Sequence, residues 1–336
     1  MQKDVVFVKT NKYWTDKHIP LVTIITSNYN RREVLYRCMK SIEAQTFRDI
    51  EYIVVDNGSS VSFDDVMEKF MGEATIPVMF VKRNNGIGRH TGRNSAIRRA
   101  RGEYLAMIDS DDEYLPDGIE KLVNAWMQIP EDQRMEYRET CCLVQDEHGR
   151  QVGDKFPEGI NNLSRLDALN AVMVPGLGCE HANMSRTILL KENLFPEPEG
   201  VASYSDSIIW WKLSKTHKSY FFNSIAKVYY TESADSITNN GKQGLNYSDC
   251  LGQLWTRMYY LNHWNEFFFS FNTYLRTLVY YSIFLHILKI HKRLPSYSWV
   301  RDGLTGLKNN LFLIIVWIPS LILTPLYIRH HKGLKL

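Results

Sequence analysis

The sequence predicts an α/β protein whose core is a doubly wound sheet flanked by helices. Short apolar runs rich in β-branched residues alternate with segments whose apolar residues have helical spacing, which is typical of parallel strands joined by helices. The apolar runs cover residues 20–26, 50–55, 78–81 and 104–108. Each run ends in polar residues, so we expect these ends to meet at the carboxyl edge of one sheet, where open α/β sheets bind their ligands.

The first three strands each lead into a polar loop. Residues 27–30 follow the first strand, a turn-forming cluster that begins with Asp56 follows the second, and residues 84–88 follow the third. A helix is expected after the first loop, because its apolar positions recur at helical spacing. A second helix is predicted for residues 91–101, directly before the fourth strand.

The fourth strand ends at residues 109–112, Asp109-Ser110-Asp111-Asp112, which we call the aspartate loop. Unpaired carboxylates are not tolerated in a sheet core, so they must lie beyond the carboxyl end of the strand. Clustered carboxylate oxygens suit a hard divalent cation, Mg²⁺ or Mn²⁺, shared with a substrate phosphate. The alternative interpretation is an aspartate-rich turn, or a cap for the helix that starts near Asp117.

The segment from Gly86 to Arg93 has the composition of a phosphate-binding loop. Its glycines permit close backbone approach, and Arg89 and Arg93 suit bidentate contacts with phosphate oxygens. Such groups stabilise the negative charge of a bound phosphate. The glycines follow the third strand and lack the remaining dinucleotide spacing, which argues against a Rossmann cofactor site. For Arg93, a structural salt bridge with the aspartate loop is the alternative to a contact with the phosphates of a bound substrate.

These motifs, in this order, resemble the family 2 glycosyltransferases, inverting enzymes of the GT-A fold that use nucleotide-sugar donors. The resemblance covers roughly residues 21–235 and implies a GT-A-like doubly wound mixed sheet. Its motifs are Val22-Thr23-Ile24-Ile25-Thr26 with Tyr29-Asn30-Arg31, Val54-Val55-Asp56-Asn57-Gly58-Ser59, Asn85-Gly86-Ile87-Gly88 with Gly92-Arg93-Asn94, and Gly102-Glu103-Tyr104 ahead of the aspartate loop. The chain departs from the family at Asn57, where a second aspartate is common.

The resemblance also implies roles for individual residues of this chain. Thr26, Tyr29 and Asp56 would line the nucleobase pocket. Asp109 would lie against the nucleoside and sugar, and Asp111 would bind the Mn²⁺ or Mg²⁺ that bridges the two phosphates. Together with Arg93, these residues form the predicted donor site.

A helix is predicted to begin just after Asp206, because apolar residues follow it from Ile208 onwards. A carboxylate at that position is a favourable N-cap. The functional interpretation is a general base that takes the proton of the acceptor hydroxyl during an inverting sugar transfer. The position resembles the acidic motif of the family, with Ser205 where an acidic residue is common, and one residue can serve as both cap and base.

The composition changes near Gly241, which divides the chain into a predicted catalytic domain, 19–240, and an aromatic-rich helical region, 241–336. Residues 311–328 are uncharged, are interrupted by two prolines and have basic residues on both sides. Eighteen residues reach about 27 Å in a helix, barely the thickness of a bilayer core. We expect an interfacial or re-entrant segment on anionic lipid. The alternative is a buried helical hairpin that packs on the catalytic domain.

The overall composition narrows the class of function. A net charge of +3 over 336 residues, without a basic patch interleaved with aromatic residues, argues against nucleic acid as a partner. Five cysteines without metal-type spacing fit a reducing cytoplasm. The first apolar stretch, residues 5–8, is too short for a signal peptide.

We therefore expect an inverting glycosyltransferase at the cytoplasmic face of the membrane. It would move a sugar from a nucleotide-sugar donor to a lipid-linked saccharide acceptor in cell-surface polysaccharide assembly. A sugar-phosphate nucleotidyltransferase is one alternative, but it normally carries a glycine-rich basic first loop, which residues 27–30 are not. A membrane-peripheral carbohydrate-binding scaffold is another, but it gives Asp206 and the aspartate loop no joint purpose.

Overall fold

The computed structural model describes residues 4–84, 88–157, 179–231, 245–266, 271–305, 307–330 and 334–335. The chain divides into two compact units. Unit 1 comprises residues 1–195 and 216–231, and unit 2 comprises residues 196–215 and 232–336. The domain boundary predicted at residue 240 lies outside the described residues and remains a prediction.

Unit 1 is built on strands and their flanking helices. The strands are β1 (Val5–Thr10), β2 (Val22–Asn28), β3 (Ile50–Asp56), β4 (Val78–Arg83), β5 (Tyr104–Met107), β6 (Glu113–Tyr114), β7 (Tyr137–Gln145), β8 (Gln151–Val152), β9 (Ala182–Arg186) and β10 (Lys218–Val228). The helices are α1 (Arg32–Glu43), α2 (Asp64–Glu73), α3 (Arg89–Ile97), α4 (Gly118–Gln128) and α5 (Thr187–Glu192), with a 3-10 turn at Glu131–Glu136.

The strands form one sheet in the order β1-β4-β3-β2-β5-β9-β7-β10-β6, with β8 paired to β7. The neighbours β4, β3, β2 and β5 are parallel. In contrast, β1 is antiparallel to β4, β9 is antiparallel to β5 and β7, and β6 is antiparallel to β10. The prediction of a mixed α/β sheet flanked by helices is confirmed.

The centre of the sheet is buried because helices cover it. Every residue of β3 is buried, as expected of a parallel strand that is packed on both faces. Helix α1 buries Leu35, Met39 and Ile42, which are spaced three or four residues apart and join the same core as the strands. Burying each such side chain contributes about 1.5–3 kcal/mol.

Strand pairing brings distant segments to the carboxyl edge of β5. Ala106 in β5 pairs with Met184 in the antiparallel strand β9. The residues that precede β9 therefore lie at the same edge as the aspartate loop, which follows β5. Strand β10 reaches this region as well, because Lys227 pairs with Tyr114 directly after the loop.

Two local features differ from the sequence predictions. In the sequence, residues 5–8 are only a short apolar stretch. In the structure they belong to β1, which lies at an open edge of the sheet and whose burial does not alternate cleanly. Helix α3 covers residues 89–97 rather than 91–101. Beyond the helix, the chain packs closely on β2 at Gly102, where an added Cβ would lie 2.6 Å from the backbone nitrogen of Thr23.

Unit 2 is mainly helical within the described residues. Its elements are α6 (Ser207–Ser214), α7 (Tyr247–Asn262), α8 (Phe271–Ile290), α9 (Ser298–Asp302), α10 (Leu307–His330), β11 (Leu245–Asn246), β12 (Leu334–Lys335) and a 3-10 turn at Trp264–Glu266. Helix α7 begins with a capping box, in which Asn246 and Asp249 each bind the other's backbone N–H.

Helix α10 continues through both Pro319 and Pro325. The hydroxyl of Ser320 donates to the carbonyl of Val316 (2.6 Å), and Thr324 donates to Ser320 (2.7 Å). The helix also presents large exposed apolar side chains, which we call the apolar face of α10: Leu311, Ile314, Ile315, Leu321, Ile322, Leu323 and Leu326. Within the described part of the chain, no helix has the length and apolarity needed to cross a membrane.

Candidate functional site

Two polar side chains are buried with orphaned atoms at the carboxyl ends of β2 and β3. Asn28 and Asp56 pair in register, and both are 0% exposed. Within the described residues, neither amide atom of Asn28 has a hydrogen-bond partner, and neither does Oδ2 of Asp56. A buried polar group left unpaired costs about 1–3 kcal/mol. These orphaned donors and acceptors make the pair a candidate for contact with a ligand that carries complementary polar groups.

The other oxygen of Asp56 is occupied. Its Oδ1 accepts a hydrogen bond from the backbone N–H of Ser59 at 2.9 Å. Burial raises the pKa of Asp56, and the hydrogen bonds from Ser59 partly offset that rise. Only Oδ2 is left to receive a hydrogen bond from a ligand.

The other two predicted nucleobase residues, Thr26 and Tyr29, have surroundings unlike those of Asp56. Thr26 is buried, and its hydroxyl accepts a hydrogen bond from the Tyr52 hydroxyl at 2.9 Å. Tyr29 is largely exposed on the following loop. Asn28, which was not among the predicted site residues, is the neighbour of Asp56. Its polar side chain at the end of a buried strand was the available signal, but its lack of a partner has no signature in the sequence.

Asn57 ties the second loop to the third. Its Nδ2 donates to the carbonyl of Gly88 at 2.8 Å, and its Oδ1 accepts from Arg83 at 2.6 Å and from Thr91 at 3.2 Å. An aspartate has no N–H to donate to Gly88. The departure from the family at this position therefore has a structural role, namely to hold the backbone that leads into α3. The preceding motif residues 85–87 lie outside the described part of the chain.

Helix α3 brings Arg93 to the aspartate loop. An added Cβ on Gly92 would lie 2.0 Å from Oγ of Ser27, so only glycine allows the helix to pack this closely on β2. Nη2 of Arg93 lies 2.6 Å from Oδ1 of Asp109, which is the salt bridge considered above as an alternative. Desolvation raises the pKa of Asp109, but the positive charges of Arg93, Arg89 and Lys227 lower it by more. The pKa of Asp109 is therefore below its ordinary value.

The remaining carboxylates of the aspartate loop are also paired. Nη1 of Arg31 lies 2.5 Å from Oδ2 of Asp111. Nζ of Lys227, from β10, lies 2.9 Å from Oδ2 of Asp112, and the backbone N–H of Tyr230 donates to Oδ1 of Asp112 at 3.2 Å. Arg31 stood in the first sequence motif without an assigned role, and Lys227 was missed because 114 positions separate it from the start of β6 at Glu113.

Burial raises the pKa of the two inner aspartates. The pKa of Asp111 is raised by burial, with Arg31 opposing the rise and the charge of Asp109 adding to it. Burial raises the pKa of Asp112 to about 6, despite the opposing charge of Lys227. Burial thus makes Asp111 and Asp112 harder to ionise even with Arg31 and Lys227 beside them.

The aspartate loop suits a metal ion that is shared with a ligand. Within the described ranges, no group of three or more His, Cys, Asp or Glu side chains is arranged to hold a metal. Mg²⁺ at phosphate sites usually takes only one or two carboxylates, and substrate phosphates and waters complete its shell. Asp111 would supply one such hard oxygen ligand, and the half-exposed Asp109 belongs to the same loop. A cation at Asp111 would replace the guanidinium of Arg31.

Asp206 lies in unit 2 and directly precedes α6, so the predicted helix start is confirmed. Its backbone is already helical, and its side chain makes no capping hydrogen bond. Next to it, Oγ of Ser207 lies 2.8 Å from the hydroxyl of Tyr260, which joins α6 to α7. The Asp206 side chain therefore does not cap α6 by a hydrogen bond.

Solved structures share the fold of this chain. A crystal structure of Staphylococcus aureus TarS (fragment 1–349) in complex with UDP-GlcNAc superposes with a TM-score of 0.52, at 16% identity, over 89% of this chain and 81% of that one. The mannosyltransferase PcManGT from Pyrobaculum calidifontis, in complex with GDP-Man and Mn²⁺, gives a TM-score of 0.51 at 15% identity over 92% and 88% of the two chains. The mixed sheet and its flanking helices thus have the architecture of GT-A glycosyltransferases.

A sequence comparison supports the resemblance that the motifs predicted. Residues 23–135 match the model of Glycosyl transferase family 2. The matched segment contains β2 to β6, the aspartate loop and α3, which are the elements that position the predicted donor site.

Relatives in other organisms match parts of the chain. An uncharacterized glycosyltransferase of Methanocaldococcus jannaschii is 34% identical over 104 residues, 30% of this chain but only 36% of the relative. The GalNAc(5)-diNAcBac-PP-undecaprenol beta-1,3-glucosyltransferase of Campylobacter jejuni is 24% identical over 220 residues, 66% of this chain and 68% of the relative. The chondroitin synthase of Escherichia coli is 26% identical over 219 residues, 64% of this chain and 29% of that enzyme.

Proposed function

We propose that this chain is an inverting glycosyltransferase. It transfers a sugar from a nucleotide-sugar donor to a lipid-linked saccharide acceptor during the assembly of a cell-surface polysaccharide. The observation that carries the proposal is the pair Asn28 and Asp56, whose buried atoms have no partner in the described residues. This pair offers a donor group and acceptor oxygens side by side, as the edge of a nucleobase requires, and it lies on the strands next to the aspartate loop.

The residues of unit 1 act on the donor. Asn28 and Asp56 bind the base, with Thr26 and Tyr29 as the other members of the predicted nucleobase pocket. Arg93 and the half-exposed Asp109 meet the nucleoside and diphosphate. When bound at Asp111, Mn²⁺ or Mg²⁺ supplies positive charge that stabilises the leaving diphosphate.

Asp206 is our candidate for the base. A carboxylate in this role accepts the proton of the acceptor hydroxyl while that oxygen attacks the anomeric carbon from the face opposite the leaving group, which inverts the configuration. The assignment rests on the position of Asp206 directly before α6, which resembles the acidic motif of the family.

We place the enzyme at the cytoplasmic face of the membrane, as a peripheral or monotopic protein. The apolar face of α10 supports lipid contact, and exposed basic residues at the end of α8, Lys289, His291, Lys292 and Arg293, suit anionic headgroups. The Campylobacter relative is named for an undecaprenol-linked acceptor. A membrane-bound acceptor and a membrane-bound enzyme meet more often than two partners that diffuse in solution.

The test is an assay for released nucleoside diphosphate. The purified chain is incubated with UDP-, GDP- and dTDP-sugars, Mn²⁺ and synthetic lipid-linked saccharides. We expect release that requires both a donor and an acceptor, and a product of inverted anomeric configuration by NMR. A nucleotidyltransferase would instead release pyrophosphate from a nucleoside triphosphate and a sugar phosphate. A carbohydrate-binding scaffold would bind saccharide and release neither.

A further inference from the structure

Lys227 makes two ion pairs although it is almost completely buried. Its Nζ lies 2.9 Å from Oδ2 of Asp112 and 2.9 Å from Oε1 of Glu180, and the residue is 4% exposed. The two carboxylates differ sharply, because the side chain of Asp112 is 2% exposed and that of Glu180 is 43% exposed. Lys227 thus joins an inner carboxylate to one at the surface of the site.

Neutralising Asp112 does not require Glu180. One ammonium and one carboxylate already make a neutral pair, so a second carboxylate leaves the group with a net negative charge. Oε2 of Glu180 has no hydrogen-bond partner within the described residues. The arrangement is therefore an oriented carboxylate with one oxygen fixed by a buried lysine and the other open to a ligand.

Strand register gives the position of Glu180. The β5–β9 ladder pairs Tyr104 with Arg186 and Ala106 with Met184. Glu180 lies two residues before β9, at the end of that strand nearest the aspartate loop, and Lys227 joins it to Asp112 of that loop. Along the carboxyl edge, the sheet order β3-β2-β5-β9 puts the base-binding pair first, the aspartate loop second and Glu180 third.

We propose that Lys227 holds Glu180 in place as a sugar-binding carboxylate, which accepts a hydrogen bond from a hydroxyl group of the donor sugar. This inference rests on the function proposed above. A nucleotide sugar has the same linear order of base, diphosphate and sugar as the three groups along the sheet edge. The open oxygen of Glu180 repels phosphate but accepts from a neutral hydroxyl, and hydrogen bonds to an ionised acceptor are about twice as strong as neutral ones.

The first experiment compares binding of UDP with UDP-GlcNAc, and of GDP with GDP-Man, by calorimetry in the presence of Mn²⁺ and without acceptor. For the nucleotide that the wild type binds, Glu180→Gln is expected to keep the affinity for the free diphosphate within about twofold. It should lose about tenfold in affinity for the nucleotide sugar, the effect of losing one charge-assisted hydrogen bond. Glu136→Gln is the matched control, because Glu136 pairs with Lys218 at the other end of β10.

Equal losses of nucleotide-sugar affinity in Glu180→Gln and Glu136→Gln overturn the inference but not the proposed function. An unchanged nucleotide-sugar affinity in Glu180→Gln does the same. An effect confined to acceptor kinetics also overturns it, because the hydroxyl would then belong to the acceptor. A wild type that binds neither diphosphate nor either nucleotide sugar instead removes the proposed function, and this inference with it.

A second pair of variants tests Lys227 as the positioning residue. Lys227→Met alone leaves Asp112 buried without a cation and is expected to lower stability. The double variant Lys227→Met with Asp112→Asn removes both charges, so it should fold and bind the free diphosphate. It should nevertheless lose nucleotide-sugar affinity to the same extent as Glu180→Gln, whereas Lys227→Arg should retain part of it. Full nucleotide-sugar affinity in the double variant shows that Lys227 does not act through Glu180.

Discussion

Arg31 occupies the carboxylate to which the sequence motif assigns the metal. Its Nη1 lies 2.5 Å from Oδ2 of Asp111, and both side chains are largely buried, with 22% and 12% of their surfaces exposed. A divalent cation bound by Asp111 would therefore have to displace a guanidinium group that is already present.

We predict that Asp111→Asn abolishes metal-dependent donor binding while the chain stays folded, because this carboxylate lies at the edge of the sheet and outside the core. The measurement is the thermal shift with a nucleotide sugar and Mn²⁺. In the companion variant Arg31→Gln, half-saturation should need up to about fivefold less Mn²⁺, since a competing ion pair worth about 1 kcal/mol is gone. Full transfer in excess EDTA contradicts the metal assignment.

Asn28→Val should stabilise the ligand-free chain and weaken nucleotide binding. Replacing an unpaired buried amide with an apolar residue removes a cost of about 1–3 kcal/mol, and valine suits a central strand. Urea unfolding and calorimetry with nucleoside diphosphates measure the two effects.

The control for Asn28 is Gln45→Leu. Gln45 is a buried amide whose Nε2 donates to Ser41 and Leu115 at 2.8 Å each, and whose Oε1 accepts from Ile119 at 3.0 Å. Its loss should destabilise the chain by about 1–3 kcal/mol. If Asn28→Val also destabilises the folded chain, the Asn28 amide already has a hydrogen-bond partner within the protein, and the proposed ligand contact is wrong.

Asp112 should make stability depend on pH. Its pKa of about 6 in the folded chain lies above the ordinary aspartate value, so the folded chain holds a proton between about pH 4 and 6 that the unfolded chain does not. This contribution to stability is present at low pH and is lost as the pH rises through 6. The unfolding free energy of wild type minus that of Asp112→Asn should be larger at pH 5 than at pH 7.5, by on the order of 1 kcal/mol. If this difference in unfolding free energy is the same at both pH values, the pKa of Asp112 is not raised in the folded chain.

Asp206→Asn tests the base. Because Asp206 makes no capping hydrogen bond, stability should change by less than about 1 kcal/mol. Transfer should fall by roughly two to four orders of magnitude, with donor affinity unchanged. Asp249→Asn is the matched control, since it makes the same chemical change in the capping box of α7. That control should cost some stability and leave turnover per folded molecule normal. Normal turnover in Asp206→Asn means that another group is the base.

The apolar face of α10 should bind lipid. The triple variant Ile314→Ser, Ile315→Ser, Ile322→Ser removes three exposed isoleucines, each of which gains about 2 kcal/mol when buried in an apolar phase. The affinity for anionic vesicles, measured by sedimentation, should fall by at least about a hundredfold. Val6→Ser with Val8→Ser is the control, because these residues are also exposed but lie on β1. Unchanged sedimentation of the triple variant refutes lipid contact by this face.

The features predicted well from sequence are those that depend on neighbours in the chain. The aspartate loop follows a buried strand, and α6 starts after Asp206, because alternating and helical apolar patterns are local signals. The pairing of Lys227 with Asp112 has no such signal, since it depends on how β10 approaches β6. The same holds for Asn28, whose importance lies in the hydrogen bonds that its environment fails to provide.

Proline rules were misleading for a related reason. Two prolines in residues 311–328 suggested an interrupted segment, since each removes a backbone donor. Helix α10 nevertheless continues past both, and the hydroxyls of Ser320 and Thr324 bind carbonyls one turn earlier. Local rules give the cost of a residue, but tertiary context decides whether the chain accepts it.

The aspartate loop joins strands that are far apart in the sheet. Three strands lie between β5 and β6 in the sheet order, yet only residues 108–112 separate them in sequence. Neighbouring strands are about 4.8 Å apart, so a flat sheet would need a connection of about 19 Å. The loop spans less, because it contains a turn closed by the Asp112 N–H and the Asp109 carbonyl at 3.1 Å. The sheet must therefore curve at the aspartate loop, and the number of residues in this loop limits how far β6 can lie from β5. Relatives that accept bulkier ligands would be expected to differ here in loop length before they differ in the carboxylates themselves.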